Sequence, residues 1–355
     1  MSSPLRVGIV GANAQRAWAH DAHVPALKRL PQFTLAAVSA RTQELADAAA
    51  QAFGAPRAFG DSLALVRDPD IDIVAVTVKV PEHRPIVLAA LAAGKHVYCE
   101  WPLGRDLAEA RELAGAVTPK SHVMIGTQAL SAPAVRQAVK LVSDGALGEL
   151  RVLRVFSPTG GWGAEAPPFY AYLQDKRNGA TLETIGGGHT LAAIEAIVGP
   201  YVEVDARNST LVKTVRITGG DEVVERTCAD HMLVLGRHGS GCVSTLEVAG
   251  GISNSPFTLE LIGEKGWIKI GGGGGGGFQT GWLKLETNVS ADPTPDAAVP
   301  DLKGPPANLA ECYTRFGADI LAGTRTVPDF DDAVRLTLLL DRIDAASQTG
   351  ARQRL

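Results

Sequence analysis

At 355 residues, 45% hydrophobic and 20% charged, the chain has the balance of a folded protein with an ordinary polar surface and the length of about two domains. A net charge of -4 and a pI near 6.1 give no electrostatic basis for binding nucleic acid. No apolar run approaches the ~20 residues of a membrane span. The opening MSSPLRVGIVGAN lacks a signal-peptide pattern, so the expected location is the cytoplasm. Cys99, Cys228, Cys242 and Cys312 are far apart with no CxxC pair, which argues for reduced thiols and against a disulfide framework or a metal site.

The first third alternates short apolar runs with Ala/Leu-rich stretches. Strands are expected at Leu5 to Val10, Phe33 to Ser39, Ile71 to Val78, His96 to Cys99 and His122 to Gly126. Between them, helices are expected at Val24 to Leu30, Thr42 to Phe53, Pro85 to Ala93 and Asp106 to Val117. Repeated β-α-β units predict a parallel sheet covered by helices. Beyond Leu130 the pattern changes. After a helix from Ala134 to Ser143, strands are expected at Leu150 to Phe156, Val202 to Ala206, Val215 to Thr218, His231 to Leu235, Gly241 to Leu246, Phe257 to Ile262 and Trp267 to Ile270. A helix from Leu191 to Val198 interrupts them, and helices around Leu309 to Leu321 and Asp332 to Ala346 close the chain. This predicts an α/β chain: a Rossmann domain over residues 1–130, then an α+β domain over 131–355 with a large, mainly antiparallel open sheet. The seven glycines Gly271 to Gly277 read as a hairpin loop or a flap, and Asp292 to Pro306 as an exposed excursion.

A nucleotide loop is expected after the first strand, at Gly11-Ala12-Asn13-Ala14-Gln15-Arg16, extended to Trp18. Gly11 stands at the tight turn, and Asn13, which tolerates positive φ, holds the second glycine position. Strand two ends Val38-Ser39-Ala40-Arg41 with no acidic residue for a ribose 2′-hydroxyl. A small hydroxyl and an arginine suit a 2′-phosphate, so NADP is expected ahead of NAD. Further cofactor candidates follow later strands: Thr77, Val78, Pro81 and His83, then Glu100 and Trp101, then Gln128. Open α/β sheets bind ligands at these carboxyl ends.

The order of these motifs resembles the glucose–fructose oxidoreductase, inositol dehydrogenase and MocA-like family over nearly the whole chain. It is similar above all to the branch containing the fungal galactose-regulon repressor. The shared-looking pieces are Trp18, Val78-Lys79-Val80-Pro81-Glu82-His83, Glu100-Trp101, Gly160-Gly161-Trp162, Gly188-His189-Thr190 and Cys228-Ala229-Asp230-His231, with Val327-Pro328-Asp329-Phe330 before the last helix. The resemblance implies hydride chemistry on sugar-like or cyclic alcohols or carbonyls, and a homodimer or homotetramer assembled through the large sheet.

It also marks departures. The family's lysine after strand four is Trp101 here, and an indole N–H cannot relay a proton. The family's aspartate four residues before the histidine falls on Ile185. His189 remains as the acid–base candidate. Tyr172 and Lys176 are further catalytic candidates, and Glu183 and Thr184 are possible substitutes for the aspartate. Trp101, Trp162 and His189 are expected to line the substrate pocket, with Phe169 and Tyr170 as possible aromatic wall. Two functions stay open: an NAD(P)-dependent oxidoreductase with an altered acid–base set, or a catalytically silent NAD(P)-sensing regulatory protein.

Overall fold

The computed structural model describes residues 3–272, 278–292 and 297–355. In chain order, the strands of the first part are β1 (Leu5–Val10), β2 (Phe33–Ser39), β3 (Ala58–Phe59), β4 (Ile73–Val76), β5 (His96–Glu100) and β6 (Val123–Gly126). The helices are α1 (Val24–Leu27), α2 (Gln43–Phe53), α3 (Ser62–Arg67), α4 (His83–Ala92) and α5 (Leu107–Gly115). Then come α6 (Pro133–Ser143), β7 (Leu150–Pro158), β8 (Glu165–Ala166), α7 (Gly188–Val198), β9 (Tyr201–Ser209), β10 (Thr214–Ile217) and β11 (Val223–Glu225). The chain continues with β12 (His231–His238), β13 (Val243–Ala249), β14 (Phe257–Gly263), β15 (Trp267–Gly272), β16 (Leu283–Thr287), α8 (Pro305–Ala322), α9 (Phe330–Thr349) and β17 (Gln353–Arg354). Two compact units form: residues 1–128 with 297–334, and residues 129–296 with 335–355.

The first unit holds a six-stranded sheet in the order β3-β2-β1-β4-β5-β6, every pair parallel. This is the Rossmann order, with its switch point between β1 and β4. All four residues of β4 and of β6 are buried, as a sheet covered on both faces requires. Thr42 caps α2 by accepting the Leu45 N–H, Asp106 caps α5 through Glu109 N–H, and both strand-to-helix junctions are thereby fixed. Tyr313 and Phe316 of α8 are fully buried in the same core as Val7, Ile9 and Tyr98.

Three expectations in this unit are corrected. The first α-helix stops at Leu27 rather than Leu30, because Leu30 precedes Pro31, which disfavours helix there. The third main strand is shorter than Ile71 to Val78, since Thr77 directs both its N–H and its Oγ1 at the Val10 carbonyl (3.0 and 2.8 Å) and ends the ladder. The stretch from 292 to 306 is no simple exposed excursion. Val299 is buried, Leu302 packs on the core, and Asp301 pairs with Arg29 at 2.6 Å. Residues 293–296 lie outside the described residues.

The second unit holds an eight-stranded sheet, β16-β15-β14-β7-β13-β12-β9-β17, antiparallel except for the β7–β13 pair. A small sheet, β11-β10-β8, stands apart from it. Along β12, Met232 and Val234 are buried while Leu233 and Leu235 are exposed, so the outer face carries an apolar row. Gly271 and Gly272 pair within β15; glycines 273–277 of the expected loop or flap lie outside the described residues. Among the described residues, no helix is long and apolar enough to cross a membrane, and no group of three or more His, Cys, Asp or Glu could hold a metal ion.

Candidate functional site

In the first unit the candidate residues gather at the carboxyl ends of β1, β2, β4, β5 and β6. Gly11 turns with φ of +97°. A Cβ there would lie 2.8 Å from Val78 Cγ1 and 2.9 Å from the Val78 nitrogen, so the loop passes the segment just after β4 at a distance only glycine permits. The Gly11 and Ala12 N–H groups both donate to the Ser39 carbonyl, at 3.1 and 2.9 Å. The positive φ expected at Asn13 falls instead on Ala17 (+77°). Asn13 uses its side chain, whose Oδ1 accepts the Gln15 N–H at 3.0 Å and closes an Asx turn. Ala14 is partly buried, Gln15 and Arg16 are exposed, and Trp18 packs against the core with its Nε1 buried and unpartnered.

At the end of β2, Ser39 is fully buried with its hydroxyl 3.1 Å from Ser62 Oγ, while Arg41 is exposed. After β4, Val78 and Pro81 are partly buried. His83 is buried, with Nε2 3.0 Å from the Val78 carbonyl and Nδ1 3.3 Å from that of Leu103, and burial lowers its pKa. The neutral ring carries one N–H, so only one of these carbonyls is bonded; with Nε2–H donating to Val78, Nδ1 is left to face Cys99 Sγ at 3.5 Å. Trp101 is buried in the position that the family resemblance assigns to lysine. Thr127 and Gln128, just past β6, are buried, and Thr127 Oγ1 and Gln128 Oε1 have no hydrogen-bond partner.

Glu100, at the tip of β5, has a neighbour that the sequence did not single out. His23 lies at the end of a π-helical turn, Ala19–His23, and is fully buried. Its Nε2 is 2.9 Å from Glu100 Oε1 and its Nδ1 is 2.7 Å from the Tyr313 hydroxyl. Separations of 77 and 290 residues hide this cluster from any local pattern.

In the second unit, His189 sits in the first turn of α7. A second π-helical turn, Leu182–Gly187, leads into it. Thr181 caps that turn in a reciprocal box with Thr184, and the Gly188 N–H reaches back five residues to the Glu183 carbonyl. Counting four residues back from His189 to Ile185 therefore does not map one helix face across this junction. Glu183 Oε1 accepts the Ala229 N–H at 3.1 Å, its Oε2 is buried without a partner, and burial raises its pKa.

His189 is 4% exposed and its Nδ1 has no partner. Desolvation lowers its pKa from 6.5 to about 3, so the ring is neutral at neutral pH. Trp162 holds φ of +58° on the loop after β7, with its Nε1 buried and unpartnered. Such strain in a large residue marks a position held by its surroundings. Tyr172 is partly buried on a 3₁₀ segment, and Lys176 projects to solvent. Phe169 and Tyr170 are exposed, with ring centroids 4.5 Å apart. Asp230 and His231 are engaged structurally: Asp230 pairs with Arg226 at 2.8 Å, and His231 Nε2 meets Glu247 at 3.0 Å.

The neutral ring of His189 has a consequence for acid stability. Below pH 6.5 the unfolded chain takes up a proton on this residue, whereas the folded chain does not until about pH 3. Stability therefore falls as pH drops through that window, by up to about 1.4 kcal/mol per pH unit for this group. His96, lowered to about 4, acts in the same direction. Urea unfolding between pH 7 and 5 should show a steeper loss in wild type than in His189→Gln; equal slopes would mean that the ring is solvated.

Residues 5–127 match the family described as "Oxidoreductase family, NAD-binding Rossmann fold", and residues 133–272 match "Gal80p, C-terminal domain". The dehydrogenase aclE of Aspergillus oryzae is 31% identical over 286 residues, covering 77% of this chain and 78% of the relative. The galactose/lactose metabolism regulatory protein GAL80 of Kluyveromyces lactis is 29% identical over 298 residues, covering 77% of this chain and 65% of the relative. The solved structure of levoglucosan dehydrogenase in complex with NADH and levoglucosan superposes with a TM-score of 0.83 over 99% of both chains, at 22% identity.

Proposed function

The chain belongs to the oxidoreductase family with the NAD-binding Rossmann fold, and from that premise we propose that it is an NAD(P)-dependent oxidoreductase of a sugar-like or cyclic alcohol or carbonyl. The observation that carries the reading is the Gly11 turn, pressed against Val78 where a Cβ has no room, together with the orphaned Thr127 Oγ1 and Gln128 Oε1 past β6. These features suit a dinucleotide at the sheet's carboxyl ends. In the proposal, Gly11, the loop from Asn13 to Trp18, Thr77, Val78, Glu100, Trp101 and Gln128 hold the cofactor. Exposed Arg41 favours NADP over NAD by facing a 2′-phosphate, with Ser39 supporting the turn through its carbonyl. The cofactor, when bound, supplies hydride exchange.

The chain's own part is to orient the substrate and hold its hydroxyl proton. His189 is the proposed partner for that hydroxyl. Its neutral ring can accept or donate a hydrogen bond, but a conjugate acid near pH 3 makes it a weak base until substrate changes its surroundings. Trp162 offers an indole N–H and an apolar face, as sugar rings and cyclic diols require. Tyr172 and Lys176 are secondary candidates, Lys176 being the weaker because it points to solvent. The exposed row of Leu233 and Leu235 on β12 is the proposed face for a homo-oligomer.

A second reading rests on two observations: Trp101 in place of lysine, and the Gal80p-type match over residues 133–272. It makes the chain a cofactor-responsive regulator without turnover. One experiment separates the two. Purified protein is titrated with NADPH and NADH by fluorescence, then assayed on sugars, cyclitols and cyclic diols at the reduced-nicotinamide absorbance. The oxidoreductase reading expects turnover that falls by about 100-fold or more in His189→Ala. Tight cofactor binding with no turnover on any alcohol or carbonyl favours the regulator.

A further inference from the structure

Glu100 is held in a way that its neighbours over-determine. A Cβ on Gly126 would lie 3.0 Å from both Cδ and Oε1 of Glu100, so the missing side chain on β6 makes the space that this carboxylate occupies. His23 closes the other side, with Nε2 2.9 Å from Oε1. The imidazole is itself fixed. Tyr313 on α8 places its hydroxyl 2.7 Å from Nδ1, and Tyr98 of β5 meets the ring edge-on with centroids 5.2 Å apart. Tyr313 and Tyr98 stack at 5.3 Å, and Phe33 packs edgewise on Tyr313 at 5.5 Å. His23, Tyr98 and Tyr313 are all fully buried, whereas the Glu100 side chain keeps 13% of its surface exposed. The chain of contacts thus runs from a closed aromatic core to a single carboxylate with an open edge.

With Glu100 as a carboxylate and the imidazole neutral, the donors and acceptors have one consistent order. The Tyr313 O–H donates to His23 Nδ1, and His23 Nε2–H donates to Glu100 Oε1. Every polar atom of the imidazole is then satisfied, and Oε2 remains for a hydroxyl donor outside. We propose that His23 and Tyr313 are positioning residues that set the orientation of Glu100 for a ribose hydroxyl of the dinucleotide. This rests on the cofactor reading above and goes beyond it, since it gives a role to two fully buried residues outside the proposed cofactor set. Helix α8, almost three hundred residues after β1, thereby tunes nucleotide affinity from inside the core.

The test uses the whole chain and reduced cofactor followed by fluorescence. Tyr313→Phe removes one hydroxyl without opening a cavity. It is expected to weaken cofactor binding about three- to tenfold, the effect of one buried hydrogen bond, and His23→Leu by more. In a Glu100→Ala background both substitutions should lose their effect, because they act through the carboxylate. A general loss of packing would instead weaken binding equally in both backgrounds. The cofactor-free protein gives a second readout. Nitrogen NMR of His23 should show a protonated Nε2 and an unprotonated Nδ1, a tautomer that the Glu100 carboxylate should still hold in Tyr313→Phe. Wild-type binding left unmoved by Tyr313→Phe and His23→Leu, or a His23 protonated at Nδ1, overturns the positioning role. Failure of the wild type to bind either nucleotide overturns the cofactor reading, and this role with it.

Discussion

Replacing Gly11 by valine is expected to abolish dinucleotide binding and to destabilise the first unit by about 2–5 kcal/mol. Two effects add. At φ of +97° an L side chain meets its own backbone, which costs roughly 1–2 kcal/mol. The new Cβ also lies 2.9 Å from the Val78 nitrogen and 3.0 Å from the Thr77 carbonyl carbon, backbone atoms just past β4 that cannot swing aside as a side chain would. Overpacking of this kind costs a further 1–3 kcal/mol or so. The turn must shift, and with it the Gly11 and Ala12 N–H bonds to the Ser39 carbonyl that tie the loop to β2. Gly54→Ala is the matched control: its φ is +75°, but nothing lies within 4 Å of an added Cβ. It should show only the strain and leave nucleotide binding unchanged. Equal Kd values for wild type and Gly11→Val would remove the loop from the cofactor site.

What the sequence discloses here depends on how local the cause is. Leu5–Val10, Phe33–Ser39 and His96–Glu100 are legible because short runs holding β-branched and aromatic residues between Ala/Leu-rich helical stretches leave few alternatives. The edge strands Ala58–Phe59, Glu165–Ala166 and Gln353–Arg354 are two residues each, too short for any periodicity, and are fixed by pairing with a neighbour. Helix Ser62–Arg67 spans six residues and owes its start to Asp61, which accepts the Leu63 N–H. The π-helical turns before Val24 and before Gly188 carry no sequence signature, yet each sets the direction of a histidine. At the site, the turn glycine is legible from its place after the first strand. The backbone cost that Asn13 was expected to bear is met by Ala17, because the Asn13 side chain closes a turn of its own. The Glu100–His23–Tyr313 cluster joins three distant segments, and only the folded chain brings them together.

The second large effect is expected at Arg226 and Asp230, which anchor the loop that carries Trp162. The Arg226 side chain is completely buried and that of Asp230 is 3% exposed. The guanidinium donates to Asp230 Oδ2 at 2.8 Å, to Gln174 Oε1 at 2.9 Å and to the Gly163 carbonyl at 2.6 Å. The carboxylate also accepts the Leu211 and Val212 N–H groups at 2.8 and 2.7 Å. Asp230→Ala strands a buried cation together with two amides and should cost about 3–5 kcal/mol in urea unfolding. Arg226→Met with Asp230→Asn removes the cation and keeps one acceptor for the amides, so it should cost less, on the order of 1–3 kcal/mol. The pair matters to the site because Gly163 follows Trp162, whose φ of +58° persists only while its surroundings hold it. In Asp230→Ala the Gly163 carbonyl is released along with the arginine, and the Trp162 indole should become more solvent-exposed well below the unfolding midpoint. The double variant loses the same Arg226 contact to Gly163 without the stranded charge. If Trp162 loosens equally in both, the arginine hydrogen bond sets the indole; if it loosens only in Asp230→Ala, the uncompensated charge does. A cost below about 1 kcal/mol for Asp230→Ala would mean that water reaches the pair and that something else holds the loop.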